Sequence, residues 1–512
     1  MIRATRNFCR LLAIGRILSR YDALVPFERI GLGGAAKTLR RLSLRQVDGN
    51  HRPGERLALA LQELGPSFIK LGQALSTRAD LMGEEVAADL STLHDRLPPF
   101  SGAQARATVE RELGQPLHAL FSEFSEEPVA AASIAQVHFA VTREADGTDG
   151  KEVAVKVLRP NIETALARDL DLFRWAARII ERAQPQLHRL KLSAAVETFS
   201  ETIAMELDMR LEAAAASELA SNFKDDPSYL VPAVDWQRTA RRVLTTNRIN
   251  GIPIDETDAL EAAGHNLEQI VGEAARIFFL QIFRDGFFHG DIHPGNLFVA
   301  GDGALLPVDF GIMGRVDRPT RRYLANTLIG FLTSDYRRVA DAHFRAGYVP
   351  AHKSRDAFMQ AIRAIGEPIL GKPTGEISIA RLLAQLFQVT HQFEMETQPQ
   401  LLLLQKAMLL AEGVGRRLAP GVNMWALAQP LVEDWIAEHL SSKARLGEVT
   451  AELADTVARL PRIMADVERA AQILAASSPR NHSNKFDRNQ GPALWPLWIA
   501  IAAVAVLVLL TS

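Results

Sequence analysis

Residues 289–296 of this 512-residue chain read His-Gly-Asp-Ile-His-Pro-Gly-Asn, and residues 308–311 read Val-Asp-Phe-Gly. Asp291 and Asn296 are five positions apart, and Asp309 follows Asn296 by thirteen. Phosphoryl transfer needs a carboxylate that orients the acceptor, and it needs oxygen ligands for magnesium because the charge of the phosphates must be neutralised. The stretch therefore predicts a phosphoryl-transfer site, with Asp291 as the catalytic carboxylate and Asn296 and Asp309 as the metal ligands.

The histidines of this stretch leave a second interpretation open. His289, Asp291 and His293 stand at alternate positions, a spacing that is also typical of metal ligands. A metal cluster is therefore the alternative, although the presence of Asn296 and Asp309 favours phosphoryl transfer.

A lysine upstream supports the nucleotide interpretation. Residues 128–158 alternate between apolar and polar positions on both sides of the turn at 146–150, which indicates a β-hairpin. Its second strand contains Val-Ala-Val-Lys at 153–156, and kinase folds use such a strand lysine to contact the α- and β-phosphates of ATP. Lys156, the loop at 289–296 and Asp-Phe-Gly follow one another in the order typical of kinase folds. The sequence thus predicts a kinase-like fold that binds ATP and Mg²⁺.

The rest of the chain favours a two-lobed α+β architecture, because a small β-rich section precedes a long helical one. Helices are predicted over 53–115, 162–222, 266–284 and beyond about 315, and a short strand over 243–249. The predicted segments are a basic N-terminal segment (1–52), a helical extension (53–115), an N-lobe with a helical insertion (116–250), a helical C-lobe (251–445), C-terminal helices with a polar linker (446–490) and a transmembrane anchor (491–512).

The anchor is predicted from the C-terminal composition. No charged residue follows Arg488, and residues 494–510 are almost wholly apolar. As a helix they would span roughly 25 Å, slightly less than a hydrocarbon core of about 30 Å. Trp495 and Trp498 would lie at the near interface. A buried C-terminal helix is the alternative, but it would need a groove that covers every face.

The N-terminus is basic and partly apolar. Five arginines precede the first acidic residue, Asp22, and leucine, isoleucine and phenylalanine are interleaved among them. This pattern suits an amphipathic helix on an anionic membrane, a mitochondrial transit peptide or a helix that docks on the protein body. The sequence leaves these three interpretations open.

Charge and cysteine content exclude other classes of protein. The formal net charge is −2, so no attraction of the whole chain to nucleic acid is implied. A single cysteine, Cys9, excludes an internal disulfide framework.

The predicted phosphate loop departs from that of ordinary kinases. Alanines 130, 132 and 135 stand at its three glycine positions, where glycine normally allows the backbone to approach phosphate closely. The predicted ATP-binding residues of this loop are Ala130, Ala131, Ala132, Ser133, Ile134, Ala135, Gln136 and Val137.

Two further motifs accompany this loop. Lys70, Gly72 and Gln73 form a K-x-G-Q motif, and Glu206 and Asp208 form an E-x-D motif. With the alanine loop, they resemble the UbiB family of atypical kinase-like proteins over about residues 55–330. The resemblance implies that these five residues are regulatory and that the K-x-G-Q segment folds over the site and excludes protein substrates.

The resemblance also implies a function. It predicts that Glu212 pairs with Lys156 as part of the catalytic set, in a membrane-associated ATPase required for ubiquinone biosynthesis. The implied partners are ATP, a membrane lipid or quinone precursor, and other ubiquinone-biosynthesis proteins. The implied location is the bacterial inner membrane, single-pass with the catalytic body in the cytoplasm, or the mitochondrial inner membrane if the N-terminus is a transit peptide. A lipid or small-molecule kinase and a nucleotide-sensing scaffold are the alternatives.

Two segments of the chain depart from related patterns. The family hinge often has an apolar pair followed by glutamate, whereas this chain has Thr-Thr-Asn-Arg at 245–248. Gly290 and His293 stand where many protein kinases have arginine and lysine. The acceptor is therefore expected to be handled differently from that of protein kinases.

Overall fold

The computed structural model describes residues 2–23, 51–76, 82–91, 93, 97–144, 146–183, 192–368, 389–390, 392–395, 399–422, 430 and 433–435. The helices are α1 (Ile2–Arg20), α2 (Pro53–Leu64), α3 (Pro66–Ser76), α4 (Glu84–Ser91), α5 (Gly102–Leu113), α6 (Leu117–Leu120), α7 (Ile162–Ala183), α8 (Leu192–Glu206), α9 (Met209–Asn222), α10 (Thr257–Ala262), α11 (Leu267–Leu280), α12 (Arg318–Leu332), α13 (Tyr336–Arg345), α14 (Arg355–Gly366) and α15 (Pro399–Leu418).

The strands are short except for the two of the central hairpin. They are β1 (Phe121–Phe124), β2 (Ala130–Ala131), β3 (Ala135–Arg143), β4 (Asp149–Leu158), β5 (Val243–Asn247), β6 (Ile252–Pro253), β7 (Phe287–His289), β8 (Leu297–Val299), β9 (Leu305–Pro307) and β10 (Met313–Arg315). A π-helical turn, Gln281–Asp285, continues α11.

The first lobe is built on an antiparallel sheet of order β1-β3-β4-β5, to which β2 is added through β3. The alternation of β4 buries Val153, Val155 and Val157 against α5 and α6. Lys156 has the opposite phase and lies between Val137 and Leu244 in the register. The predicted hairpin and the predicted strand near 243 are thus confirmed. Successive side chains of a strand point to opposite faces of the sheet, which is why the valines face the core and Lys156 does not.

The helical extension forms a core of its own. Helices α2, α3 and α4 bury Leu57, Leu61, Phe68 and Ile69 among other apolar side chains. Gly65, at φ +101°, ends α2 and allows the chain to start α3 at once. The predicted helices over 53–115 are therefore present, with this additional break.

The N-terminal helix α1 packs on the protein body. Its buried Ile14 joins the core of the helical extension. Arg6 and Arg10 approach Asp171 and Asp169 of α7 at 3.3 and 3.4 Å. Of the three interpretations of the basic N-terminus, the structure shows the docked helix.

The second lobe is mainly helical. Strand β7 pairs with β10, and β6, β8 and β9 form a three-stranded sheet. Helix α11 packs beside these strands, and the C-terminal turns of α15 enter the same core through Val414 and Leu418. The predicted β-rich section followed by helices is confirmed for the described residues.

The predicted transmembrane helix at 491–512 lies outside the described residues, as does the polar linker before it. Within the described part of the chain, no helix is both long enough and apolar enough to span a membrane.

Candidate functional site

The candidate site is centred on one lysine between two carboxylates. Lys156 Nζ lies 2.8 Å from Glu212 Oε1 and 3.1 Å from Asp309 Oδ1. Strand β4 supplies the lysine, α9 supplies Glu212, and the Asp-Phe-Gly segment after β9 supplies Asp309. The structure thus contains the pairing of Glu212 with Lys156 that the family resemblance implies.

The lysine and the two carboxylates shift one another's pKa values. Burial lowers the pKa of Lys156, but Asp309 and Glu212 outweigh this effect and raise that pKa above its usual value. Burial raises the pKa of Glu212, and Lys156 offsets only part of the rise. Burial acts to raise the pKa of Asp309, although 45% of its side chain is exposed. The nearby ammonium groups of Lys156 and Lys70 outweigh this effect, so the pKa of Asp309 is lowered.

A small hairpin brings the two predicted metal ligands together. Leu297 and Pro307 are paired in the β8–β9 register, and Val308 N–H donates to the carbonyl of Asn296 at 2.8 Å. Asn296 and Asp309 therefore lie at the same end of the hairpin. Asp309 has φ +62°, a left-handed conformation that aspartate and asparagine tolerate better than most residues.

The loop at 289–296, predicted to be catalytic, holds Asp291 by its backbone and by one cation. The Asp291 N–H donates to His289 Nδ1 at 3.2 Å, and its carbonyl accepts from Asn296 Nδ2 at 3.2 Å. Lys406 Nζ of α15 donates to Asp291 Oδ1 at 3.0 Å. Asp291 is thus placed beside, and not within, the cluster around Lys156.

The two histidines of the loop accept hydrogen bonds from its backbone N–H groups. His293 Nδ1 accepts the N–H of Gly295 at 3.0 Å, as His289 does for Asp291. Burial lowers the pKa of His289, which favours the neutral ring. Among the residues that the structure describes, no group of three histidine, cysteine or carboxylate side chains is placed to hold a metal ion.

The predicted phosphate loop is an ordinary tight hairpin. Ala132 N–H donates to Ala135 O at 2.8 Å, and none of the eight loop residues, all described, has a positive φ. The Arg159 guanidinium caps the Ala132 carbonyl, with its Nη2 at 2.8 Å. Ser133, Ile134, Ala135 and Gln136 are buried, whereas Ala130 is exposed. This hairpin does not need glycine, because no loop residue adopts a conformation that alanine disfavours.

The two family motifs meet through an ion pair. Lys70 Nζ lies 2.9 Å from Glu206 Oε2, and each side chain is only 10% exposed. Asp208 caps α9 by accepting the Arg210 N–H at 3.1 Å, and α9 is the helix that bears Glu212. The E-x-D motif therefore connects the K-x-G-Q helix to the element that positions Glu212.

The other two K-x-G-Q residues have different surroundings. A methyl group on Gly72 would lie 2.7 Å from Leu61 and 2.9 Å from Leu93, so this glycine allows α3 to approach its neighbours. Gln73, on the same helix, is half-buried.

Two residues of the site could not be found from the sequence. Arg159 follows β4 directly, and Lys406 is 115 positions beyond Asp291. Neither belongs to a motif with a local chemical signature, so only the packing of the chain shows their contacts.

The donor set fits magnesium and nucleotide phosphates. Asn296 donates its amide nitrogen to Asp291, so the amide oxygen is the atom that a cation would use, and Asp309 adds a partly exposed carboxylate. Oxygen donors of this kind suit Mg²⁺, and the Lys156 ammonium suits phosphate oxygens.

Comparison with known proteins gives the same fold. Residues 92–343 match the family model of the ABC1 atypical kinase-like domain, and residues 362–423 match that of the UbiB helical domain. A solved structure of Rv3197 with erythromycin, from Mycobacterium tuberculosis, is similar with a TM-score of 0.52 and 25% identity, covering 78% of this chain and 97% of that one. The predicted kinase-like fold is therefore confirmed.

Curated bacterial relatives match most of the chain. A relative from Marinobacter nauticus that carries the name "Probable protein kinase UbiB" is 42% identical over 84% of this chain and 79% of its own length. The protein of the same name from Aeromonas salmonicida is 39% identical over 99% of this chain and 94% of its own. With two family models matched in order and identity near 40% over nearly full length, the chain belongs to the UbiB family of atypical kinase-like proteins.

Proposed function

We propose that the protein is a membrane-associated, Mg²⁺- and ATP-dependent atypical kinase or ATPase that is required for ubiquinone biosynthesis and acts on or with a lipid or quinone precursor. The observation that carries this proposal is the cluster of Lys156 with Glu212 and Asp309, close to a catalytic loop that presents Asp291. A scaffold without turnover would not need the complete set.

Each residue has a role that follows from its surroundings. Lys156 would bind the α- and β-phosphates, and Glu212 holds its ammonium in place. Asn296 and Asp309 would hold Mg²⁺, which when bound neutralises the phosphate charge. Asp291 would orient the hydroxyl group of the acceptor or of water.

The K-x-G-Q helix supports an acceptor that is not a protein. Lys70 is held by Glu206, and its charge acts on Asp309. The helix that bears Lys70 thus lies within electrostatic reach of the metal-binding carboxylate. An element in this place would restrict the access of a protein substrate.

The proposed location is the bacterial inner membrane, with the catalytic body in the cytoplasm. It is supported by the bacterial relatives and by the uncharged run from residue 489 to residue 512. Other ubiquinone-biosynthesis proteins are proposed as partners on the basis of family membership.

Metal-dependent binding of ATP is the direct test. At 100 times its Kd, a ligand stabilises the folded state by about 2.7 kcal/mol. We expect Mg²⁺ with ATP to raise the unfolding temperature of the wild type and to raise that of Asp309→Asn much less. Asparagine is the chosen replacement because it tolerates φ +62°.

Asp258→Asn is the matched control, since it removes an exposed carboxylate of the same lobe. Equal shifts for wild type and Asp309→Asn would exclude Asp309 as a metal ligand. A wild type without any shift would contradict the proposed function. The quinone content of a deletion strain that carries each variant then tests the biosynthetic role.

A further inference from the structure

Helix α15 lies directly on the catalytic loop. A methyl group built on Gly290 would come within 2.9 Å of Leu403 Cδ1 and 3.0 Å of Ile312 Cγ2. These contacts leave no space for a side chain at position 290. The helix therefore occupies the place where many protein kinases have the arginine of the catalytic loop.

The same face of α15 supplies a cation. Lys406 follows Leu403 by three positions, so both side chains project from one side of the helix. Lys406 Nζ lies 3.0 Å from Asp291 Oδ1, and the two side chains are 23% and 31% exposed. This hydrogen bond is charge-assisted and joins the helix to the predicted catalytic carboxylate.

The loop itself does not supply this cation. His293 stands where many protein kinases have a lysine, but its Nδ1 accepts a hydrogen bond from its own loop at Gly295. Helix α15 is held in place independently of Lys406, because Val414 and Leu418 are buried in the core with α11. An ammonium group on an anchored helix is thus directed at the loop from outside.

We propose that Lys406 is a positioning residue for phosphoryl transfer: it takes over the role of the missing catalytic-loop lysine and holds the Asp291 carboxylate in the orientation that the acceptor or water needs. The inference rests on the proposed function and extends it to the helical domain at 362–423, which lies outside the kinase-like domain at 92–343. Turnover then requires that α15 is docked on the loop.

The physical reason is orientation. A carboxylate with one oxygen bound to a fixed ammonium keeps its second oxygen in a defined direction, and a nucleophile must be held within a narrow range of angles to react. A loss of the cation should therefore lower turnover and leave nucleotide binding intact, because the ATP-binding cluster contains Lys156 and not Lys406.

The test uses the full-length protein and Mg²⁺-dependent ATP hydrolysis. We expect Lys406→Met to lower kcat about tenfold, with KM for ATP changed less than about twofold. Lys406→Arg retains the charge and should keep kcat within about threefold of the wild type. The matched control is Lys353→Met, which removes a lysine that pairs with Glu394 at 2.7 Å away from the loop.

A double-mutant cycle separates this role from a structural one. If Lys406 acts through Asp291, Lys406→Met should change the residual kcat of Asp291→Asn by less than about twofold. Additive losses would overturn the proposal, as would an unchanged kcat in Lys406→Met.

The thermal shift with Mg²⁺ and ATP verifies folding, and Lys406→Gln replaces the methionine variant if that variant is unstable. A wild type without turnover would contradict the proposed function, whereas an active wild type with an equally active Lys406→Met contradicts this inference alone.

Discussion

At the scale of single residues, the candidate site contains three lysines that are each paired with a carboxylate. Lys156, Lys70 and Lys406 each have a carboxylate oxygen within 3.0 Å, on Glu212, Glu206 and Asp291 respectively. Pairs of this kind are maintained because removal of one partner leaves a poorly solvated charge, a loss of about 3–5 kcal/mol where burial is deep. The nearly buried pairs of Lys156 and Lys70 should therefore tolerate substitution less well than the more exposed pair of Lys406.

Gly72 of the K-x-G-Q motif provides a test at the level of one residue. Alanine would favour the helix by up to about 1 kcal/mol, but its methyl group would lie 2.7 Å from Leu61 and 2.9 Å from Leu93. Overpacking costs typically about 1–3 kcal/mol, so Gly72→Ala should destabilise the protein.

Thermal unfolding measures this effect. Gly272→Ala is the control, because Gly272 lies within α11 and a methyl group there meets nothing within 4 Å. That variant should be as stable as the wild type or more so. If Gly72→Ala proved equally stable, close packing would not be the reason for glycine at this position.

At the level of elements, the ends and contacts of helices decide where the site residues lie. Asp208 caps the start of α9, and Glu212 lies four positions later, in the first turn of that helix. The helices α12, α13 and α14 form a separate core in which His343 is buried. Its Nδ1 is 2.8 Å from Val339 O, and its Nε2 is 2.9 Å from the Tyr323 hydroxyl.

His343 predicts a loss of stability in acid. Burial lowers the pKa of His343 from 6.5 to about 4, although the Val339 carbonyl opposes the shift. The unfolded chain therefore binds a proton below pH 6.5 while the folded chain does not, so stability falls as the pH decreases from about 6.5 to about 4. Between pH 7.5 and pH 5 this group should account for about 2 kcal/mol.

The measurement is the unfolding temperature at both pH values for the wild type and His343→Gln. The variant should lose less stability on acidification than the wild type does. His352→Gln, which removes an exposed histidine nearby, is the control. An equal loss in wild type and His343→Gln would mean that His343 is not the source of the acid sensitivity.

On the scale of the whole molecule, the described body and the C-terminal segment are expected to have separate tasks. The site residues lie between positions 70 and 406, and the described helices contain no membrane span. The uncharged segment at 491–512 remains the predicted anchor.

Truncation after residue 490 tests this division. The shortened protein should leave the membrane fraction and keep the thermal shift with Mg²⁺ and ATP, because no site residue is removed. Full sedimentation with membranes in high salt would show that another element is the main anchor. The first candidate would then be α1, on which Leu11 and Leu12 are 42% and 50% exposed.

The sequence alone determined those features that are encoded by residues close to one another. The order of Lys156, the loop at 289–296 and Asp309 identified the fold, since each motif has its own residue types and spacing. The period of two over 128–158 predicted the hairpin, since a strand with one buried face must alternate.

Only the tertiary structure decided which distant residues meet. Lys406 reaches Asp291 across 115 positions, and Leu403 of the same helix explains why position 290 is a glycine. Lys70 and Glu206 belong to two motifs that are far apart in the chain, yet their side chains form an ion pair and are each only 10% exposed. These contacts depend on how the helices pack, and packing is set by the shape and burial of many side chains together, which no local pattern records.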